Sequence, residues 1–251
     1  MHQRRGRRCR RPLEVHAIRA LELEHRARVI GRGDDQTELL EDSPHLADLL
    51  GVGPGELAAA DPHLSVVVGR YGTPPLWARP TGFATLLNII LEQQVSLASA
   101  KACFDKLAAH LGDVTPERFL TVNDVELKAI GFSRQKTAYA RHLSEAILED
   151  RIDLDSIHKM PDEAVRAELI KLKGIGVWTA DVYLLMALLR PDVMPRGDIA
   201  LHAAFQKLTN ADKRPGSDEF IDIAERWRPF RSVAARLLWH FYLNERRKSE
   251  R

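Results

Sequence analysis

A five-residue segment with two glycines, Leu172-Lys173-Gly174-Ile175-Gly176, constrains the fold of this chain more than any other feature. Helical patterns flank it over residues 162–170 and 177–189, and glycine lets the backbone turn sharply and approach a partner closely. The segment therefore predicts two helices joined by a tight hairpin. Such a hairpin points the amides of Gly174, Gly176 and Thr179 outward at a helix N-terminus, where they can bind an anion such as phosphate. Taken alone, the same glycines more often mark an ordinary turn between helices.

The rest of the sequence also indicates helices. Apolar residues recur with a helical period over 83–91 and 97–111, and Gly112 ends the second stretch. The helix that starts at Asp61-Pro62 is predicted to end before Gly69. Because no segment alternates long enough to predict a strand, we expect an all-α protein. Cap residues predict helix starts at Ser43, Asp61, Thr115, Asn123 (in a capping box with Glu126) and Ser133, and further helices are predicted over 134–149, 199–208, 218–227 and 230–246.

A proline-rich connection over 73–80 predicts a crossing between two structural units. Residues 1–42 show little periodicity apart from a possible helix over 13–30, so they are predicted to be a poorly structured basic segment. Residues 43–75 and 192–251 are predicted to form one helical lobe, and residues 76–191 a helical bundle that contains the hairpin.

The positive charge of the chain is concentrated at its start. The net charge is +2, and residues 1–12 contain six arginines and no acid. The other residues carry 31 Lys and Arg against 35 Asp and Glu, so bulk charge does not indicate a nucleic acid partner. The arginines could touch phosphates nonspecifically, form a functionally idle leader, or lie ahead of the true start of the protein.

The cysteines and histidines indicate no metal chemistry. Cys9 and Cys103 are too few for a four-thiolate cluster or a disulfide framework. The histidines, among them His142, His202 and His240, lack the spacing of metal ligands. No apolar run approaches the length of a bilayer span. We therefore expect a soluble protein in a reducing, cytoplasmic setting.

The hairpin and the loop that follows it resemble a known motif. The segment 172–180, Leu-Lys-Gly-Ile-Gly-Val-Trp-Thr-Ala, is similar to the helix-hairpin-helix motif of the DNA glycosylase superfamily, in which a loop rich in glycine, proline and aspartate follows. Here that loop is Pro191–Asp198, and Asp198 matches the catalytic aspartate. Trp178 stands where glycosylases that also cut the backbone carry a lysine, and without that amine no Schiff base with the sugar forms. Trp178 with Asp198 twenty residues later resembles the 3-methyladenine DNA glycosylase II group.

Two further motifs support the same resemblance. The segment Ile89–Ser96 is similar to the family segment that supplies a base-pocket glutamine, matching Gln93, and a residue that wedges into the emptied base stack, matching Gln94. The segment Trp227–Ser232 resembles a family motif whose aromatic residue, here Phe230, lines the base pocket. With the hairpin and its loop, these motifs cover about residues 80–245.

The sequence departs from the family pattern at one pocket position. The best-known members carry a tyrosine four residues after the tryptophan, where this chain has Val182, and Tyr183 one place later points elsewhere on a helix. We also expect no mixed α/β N-terminal domain of the kind that some members carry. Both departures suggest a more open pocket and leave the base preference open.

The resemblance implies a two-lobed helical fold that holds double-stranded DNA with damaged bases in the cleft between the lobes. It implies hydrolysis of the N-glycosidic bond of alkylated bases, 3-methyladenine or 7-methylguanine, in base excision repair, without lyase activity. Trp178 and Phe230 would stack on the cationic base. Asp198 would stabilise the oxocarbenium-like sugar and orient water, a role compatible with simply capping the next helix.

The resemblance also implies the partners and ions. We expect a monomer without a cofactor, associated with the nucleoid. A structural Na⁺ or K⁺ on the carbonyls of Ile170, Leu172 and Ile175 would bridge to the phosphate.

Two alternatives remain open at this point. The same fold could act on hypoxanthine, uracil or etheno bases, which release from defined oligonucleotides would distinguish. The chain could also be a non-catalytic helix-hairpin-helix module that binds DNA, which predicts binding without base release and leaves the pairing of Trp178 with Asp198 unexplained.

Overall fold

The computed structural model describes residues 54–249, and within them all regular structure is helical. This confirms the predicted all-α class. The predicted helices at 13–30 and 43–50 and the basic segment 1–42 lie outside the described residues. Among the helices of this range, none is both long and apolar enough to cross a membrane.

Twelve α-helices and two 3-10 turns form the described part of the chain. The first six helices are α1 (Pro54–Ala60), α2 (Pro62–Tyr71), α3 (Phe83–Glu92), α4 (Leu97–Leu111), α5 (Pro116–Thr121) and α6 (Asp124–Ile130). The other six are α7 (Arg134–Leu148), α8 (Asp162–Leu169), α9 (Val177–Met186), α10 (Ile199–Thr209), α11 (Ser217–Ala224) and α12 (Arg231–Ser249), with 3-10 turns at Ile157–Lys159 and Glu225–Trp227.

Side-chain caps start several helices where the sequence predicts them. The side chains of Asp61, Thr115 and Ser133 accept backbone N–H groups at the starts of α2, α5 and α7. Asn123 and Glu126 form the predicted capping box at α6. The capping bonds at these boundaries are therefore formed between residues two or three positions apart in the sequence.

Four predicted helix ends are wrong. The helix predicted over 218–227 ends at Ala224 and is followed by a 3-10 turn, and the helix predicted over 230–246 continues to Ser249.

Helix α2 continues through Gly69 and ends at Tyr71. Its C-cap is Gly72, whose φ of 72° glycine adopts readily and whose N–H donates to Val68 O. Helix α9 ends at Met186 rather than at Leu189, because Leu189 has a φ of 52° and the chain turns away there. Glycine within a helix lowers stability but does not stop it, which explains the error in α2.

The described helices pack in two groups. Helices α1 and α2 contact each other, and α12 contacts α1, α2, α10 and the turn Glu225–Trp227. Helices α3 to α9 form the second group, in which α3 contacts α4, α7 and α9, and α8 contacts α9. Buried side chains of both groups belong to one hydrophobic cluster. The predicted lobe boundaries near 75 and 191 stay a prediction.

Arg236 of α12 joins the two groups inside this cluster. Its side chain is 1% exposed, and burial lowers its pKa to about 9. Its guanidinium donates to the carbonyls of Leu76, between α2 and α3, and Leu185, at the end of α9, both at 2.7 Å. The buried cation therefore ties the connection between α2 and α3 to the helix that follows the hairpin.

Asp61 gives the fold a measurable pH dependence. Burial opposes the ionisation of Asp61. Its carboxylate, however, accepts hydrogen bonds from Trp227 Nε1 at 2.8 Å and from the amides of Leu64 and His63, and it lies near the charge of Arg226. Together these interactions lower the pKa of Asp61 below the ordinary 3.8. Because the folded pKa is depressed, ionised Asp61 stabilises the fold above the unfolded pKa and this stabilisation is lost as pH falls through the folded pKa.

We expect Asp61→Asn to lower the free energy of unfolding by about 1 kcal/mol at neutral pH, because the charge-assisted bonds are weakened. The difference in the free energy of unfolding between the parent protein and the variant should shrink as pH falls below about 4. Urea unfolding at several pH values measures both. A difference independent of pH would show that Asp61 acts only through neutral hydrogen bonds.

Candidate active site

The hairpin between α8 and α9 has the predicted geometry. Gly174 has a φ of 88°, and the N–H of Ile175 donates to Leu172 O at 3.1 Å across the turn. Gly176 is the N-cap residue of α9 and supplies no side-chain cap. The amides of the first turn of α9 are therefore available to an external acceptor, as an anion site requires.

A ring from a different helix closes one side of the hairpin. The aromatic ring of Tyr139, on α7, lies so close to Gly174 that a Cβ built there would stand 2.1 Å from Tyr139 Cγ. A Cβ on Gly176 would meet nothing within 4 Å. Of the two glycines, only Gly174 is therefore required both by its conformation and by a neighbouring side chain.

Trp178 and Asp198 meet at the start of α9. Trp178 Nε1 donates to Asp198 Oδ2 at 2.9 Å, and Asp198 Oδ1 accepts the N–H of Leu201 at 2.9 Å as the N-cap of α10. Asp198 is 7% exposed. The predicted capping role is confirmed, and it holds the carboxylate at a fixed position beside the indole. Each carboxylate oxygen retains a further lone pair for another donor.

The C-terminal part of the loop Pro191–Asp198 is bound to α9. Asp181 Oδ2 accepts the backbone N–H of Arg196 at 3.1 Å, while Asp181 Oδ1 accepts from Arg166 Nε of α8 at 2.8 Å. Asp181 is 2% exposed, and this burial raises the pKa of its carboxyl above the ordinary value against the opposing charge of Arg166. The carboxylate thus joins α8, α9 and the loop.

The loop is bound to the start of α12 at its other end. Arg231 Nε and Nη2 donate to the two carboxylate oxygens of Asp192 at 2.8 and 3.1 Å. Ser232 Oγ donates to Arg190 O at 2.6 Å and accepts the N–H of Val193 at 3.0 Å. Phe230, half-buried, directly precedes these residues. The structure therefore links Phe230 to Asp198 through a loop fastened at both ends.

Gln93 contacts the hairpin. Its Nε2 donates to Gly174 O at 2.9 Å and to Thr179 Oγ1 at 3.0 Å. The two hydrogens of the amide nitrogen are thereby engaged, so the carbonyl oxygen of Gln93 is the part of its side chain left to read a base. Its role in a base pocket stays a prediction.

Gln94 occupies an unusual backbone position. It is exposed and has a φ of 57°, in the left-handed region that residues other than glycine rarely adopt. Val95 and Leu97 beside it are 45% and 56% exposed. The structure therefore presents an exposed glutamine just after α3, followed by two exposed apolar side chains. Its role as the residue that enters the base stack stays a prediction.

Two cationic side chains contact the last turn of α3, just before Gln94 in the chain. Lys136 Nζ of α7 donates to Leu91 O at 2.6 Å, and Arg79 pairs with Glu92 at 2.8 Å. Burial lowers the pKa of Lys136 below its ordinary value. A cation at a helix C-terminus is favourable, so these contacts stabilise the backbone that carries Gln94.

The other predicted residues of α9 are buried. Val182 and Thr179 are each 2% exposed. Because the Thr179 hydroxyl is bonded to Gln93, a phosphate contact from Thr179 would use its backbone amide. Tyr183 is fully buried, and its hydroxyl accepts the N–H of Gly82 at 2.9 Å. Burial raises the pKa of Tyr183 to about 12.

Sequence reasoning missed the side chains that position the site. Asp181, Arg166 and Tyr139 carry no motif of their own in a single sequence. Asp192 and Ser232 lie within recognised motifs, yet nothing in the sequence shows that they meet. The one available signal was Asp181 itself, a charged residue in an otherwise apolar helix that had to have a partner.

Comparisons with known proteins agree with this geometry. Residues 87–229 match the model of the HhH-GPD superfamily of base excision DNA repair proteins. This match includes the hairpin and the loop, ends one residue before Phe230, and covers more than half of the chain. The chain therefore belongs to the HhH-GPD superfamily, which confirms the resemblance seen in the sequence.

The relatives within this superfamily are named as glycosylases. The chain is 27% identical to a DNA-3-methyladenine glycosylase of Bacillus subtilis over 73% of its own length and 65% of the relative's. It also resembles the structure of 3-methyladenine DNA glycosylase Mag1 of Schizosaccharomyces pombe in complex with abasic DNA. The TM-score is 0.68 and the sequence identity 25%, and the match covers 74% of this chain and 94% of that one.

A second solved relative is DNA-3-methyladenine glycosidase of Bacillus halodurans, with a TM-score of 0.63 and 27% identity, covering 82% of this chain and 93% of that one. The chain spans slightly less than two thirds, 64% and 65%, of the length of the two Bacillus subtilis relatives it matches.

Proposed function

We propose that this protein is a monofunctional DNA glycosylase that hydrolyses the N-glycosidic bond of alkylated bases in double-stranded DNA. The observation that carries the proposal is the buried Asp198 carboxylate held by Trp178 Nε1 at 2.9 Å. Trp178 lies in the first turn of α9, directly after a hairpin whose first-turn amides are unused. The names of the relatives, DNA-3-methyladenine glycosylases, support the substrate class.

The chemistry follows from the placement of Asp198. As the bond between C1′ and the base nitrogen breaks, its electrons leave with the base and positive charge develops on the sugar. A carboxylate fixed by two hydrogen bonds needs no reorganisation to stabilise that charge, and its burial strengthens the interaction. Water then attacks C1′ and loses its proton, leaving an abasic site. Asp198 orients this water and accepts the proton.

Alkylated purines suit the aromatic residues of the site. A purine methylated at N3 or N7 is cationic, so aromatic faces attract it by about 0.5–2 kcal/mol each. Trp178 and Phe230 supply those faces in the proposal. Val182 stands where the best-known family members carry a pocket tyrosine, so no tyrosine ring at this position selects one base, and 3-methyladenine and 7-methylguanine are both proposed substrates.

DNA binding is assigned to the hairpin and to Gln94. The amides of Gly174, Gly176 and Thr179 bind a phosphate, and Gln94 fills the space left by the flipped nucleotide. The carbonyls of Ile170, Leu172 and Ile175 fit a monovalent cation in donor type, although Leu172 O already accepts the N–H of Ile175. Such a cation would supply positive charge beside the phosphate.

Absence of strand cleavage belongs to the same proposal. Trp178 offers no amine, so the base is displaced by water rather than through a covalent Schiff base. We expect no cross-link to abasic DNA after borohydride reduction.

The test is chromatography of the bases freed from methylated double-stranded DNA, together with electrophoresis of the strands. We expect free 3-methyladenine or 7-methylguanine and intact strands until alkali is added. DNA binding without base release would instead support a non-catalytic module. Release of only hypoxanthine, uracil or etheno bases from defined oligonucleotides would overturn the proposed substrate class.

Trp178→Phe tests the bond to Asp198 separately from stacking. The variant keeps an aromatic face but loses the N–H that fixes Asp198 Oδ2. We expect the single-turnover rate of base release to fall roughly 10–100-fold, as loss of a hydrogen bond to a charged group predicts. Affinity for abasic DNA should change little. Trp239→Phe on α12 is the matched control, and equal rates for the two variants would show that the bond is unimportant.

A further inference from the structure

Asp181 has a contact pattern that its ion pair alone does not explain. One carboxylate oxygen, Oδ1, lies 2.8 Å from both Nε and Nη2 of Arg166. The other oxygen, Oδ2, points to the loop and accepts the N–H of Arg196 at 3.1 Å. The ion pair therefore occupies only half of the carboxylate.

Asp181 and Trp178 lie three residues apart on α9 and so share one face of the helix. Both bonds from this face reach the same loop: Asp181 binds Arg196, and Trp178 binds Asp198 two residues later. The face of α9 thus contacts the end of the loop at two points one helical turn apart.

The loop segment between those points is a tight turn. The N–H of Asp198 donates to Pro195 O at 3.4 Å, and Gly197 has a φ of 79°. This matches a type II turn with Arg196 at its second position and glycine at its third. Because the turn is short, the place where Arg196 is held determines where the carboxylate of Asp198 stands.

We propose that Asp181 is a positioning residue for base excision, which through the Arg196 N–H holds the loop on α9 so that Asp198 meets the sugar. The inference rests on the proposed glycosylase function. It assigns Asp181 no contact with DNA. The alternative is that Asp181 only stabilises the fold through Arg166.

One matched pair of variants removes the hydrogen bond without touching Asp181. Arg196→Pro lacks the N–H, and proline is favoured at the second position of a type II turn. Arg196→Ala loses the same side chain, with its ion pair to Asp218, but keeps the N–H. We expect Arg196→Pro to release base roughly 10–100-fold more slowly than Arg196→Ala in single turnover, because a displacement near 1 Å can cost that much. Their affinities for abasic DNA should agree within about twofold.

A second pair keeps the test decisive if Arg196→Pro does not fold. The double variants Arg166→Met/Asp181→Asn and Arg166→Met/Asp181→Leu both lack the ion pair, and apolar replacement of a buried pair is often tolerated. Their side chains at position 181 have similar size and neither carries a charge, but only asparagine offers an oxygen to the Arg196 N–H. The asparagine variant should be the faster by roughly tenfold or more.

Equal rates within either folded pair would overturn the inference, as would a loss confined to DNA affinity. The proposed function fails in a different way, because then the parent protein itself releases no alkylated base. An active parent with equal variants refutes only the role of Asp181.

Discussion

Asp198→Asn should lower the single-turnover rate of alkylated base release on the order of 100–1000-fold. The substitution preserves size and removes the charge that faces the developing oxocarbenium ion. Asparagine is as good an N-cap residue as aspartate, so the bond to the N–H of Leu201 can remain. The loss is therefore expected in the chemical step rather than in folding.

The measurement is the rate of base release from methylated DNA with enzyme in excess, alongside affinity for abasic DNA and urea unfolding. Asp212→Asn, an exposed site just beyond α10, makes the same change in net charge and serves as the control. Affinity and stability should match between the two variants. Release by Asp198→Asn at the rate of the parent would contradict the assigned role.

The local chemistry of the sequence was sufficient to predict most helix starts. Asp61, Thr115, Asn123 and Ser133 cap helices through bonds to residues two or three positions away, so a single sequence contains the whole interaction. The twenty-residue spacing of Trp178 and Asp198 was equally local information, because the helix and the loop between them have a limited set of geometries.

Contacts between distant residues could not be predicted in this way. Gln93 meets Gly174 across 81 positions of sequence, and Arg236 meets Leu76 across 160. Such pairs depend on how α3, α9 and α12 pack, which the hydrophobic pattern of each helix does not specify. Arg231, which fastens the loop before Asp198 through Asp192 across 39 positions, is of this kind. The residues expected to touch DNA were instead visible in the motifs.

The hairpin shows how the two kinds of information combine. Its glycines predicted a turn, but they did not reveal that only one of them is irreplaceable. Tyr139 comes from α7, and its ring occupies the space where a side chain on Gly174 would stand. The difference between the two glycines thus arises from tertiary packing.

Gly174→Ala should destabilise the protein by about 2–4 kcal/mol, because alanine is strained at a φ of 88° and its methyl group collides with the Tyr139 ring. Gly176→Ala is the matched control, since its Cβ meets nothing and its φ of −96° suits any residue. Urea unfolding of both variants measures the difference.

The Gly174 variant should also bind abasic DNA more weakly even where it remains folded. Relief of the collision moves the hairpin away from Tyr139 and displaces Gly174 O, the acceptor of Gln93 Nε2. Because Gln93 directly precedes Gln94, a shift of the hairpin is passed to the residue proposed to enter the base stack. Unfolding free energies that agree between the two glycine variants would mean that Tyr139 yields easily and that the hairpin does not depend on this contact.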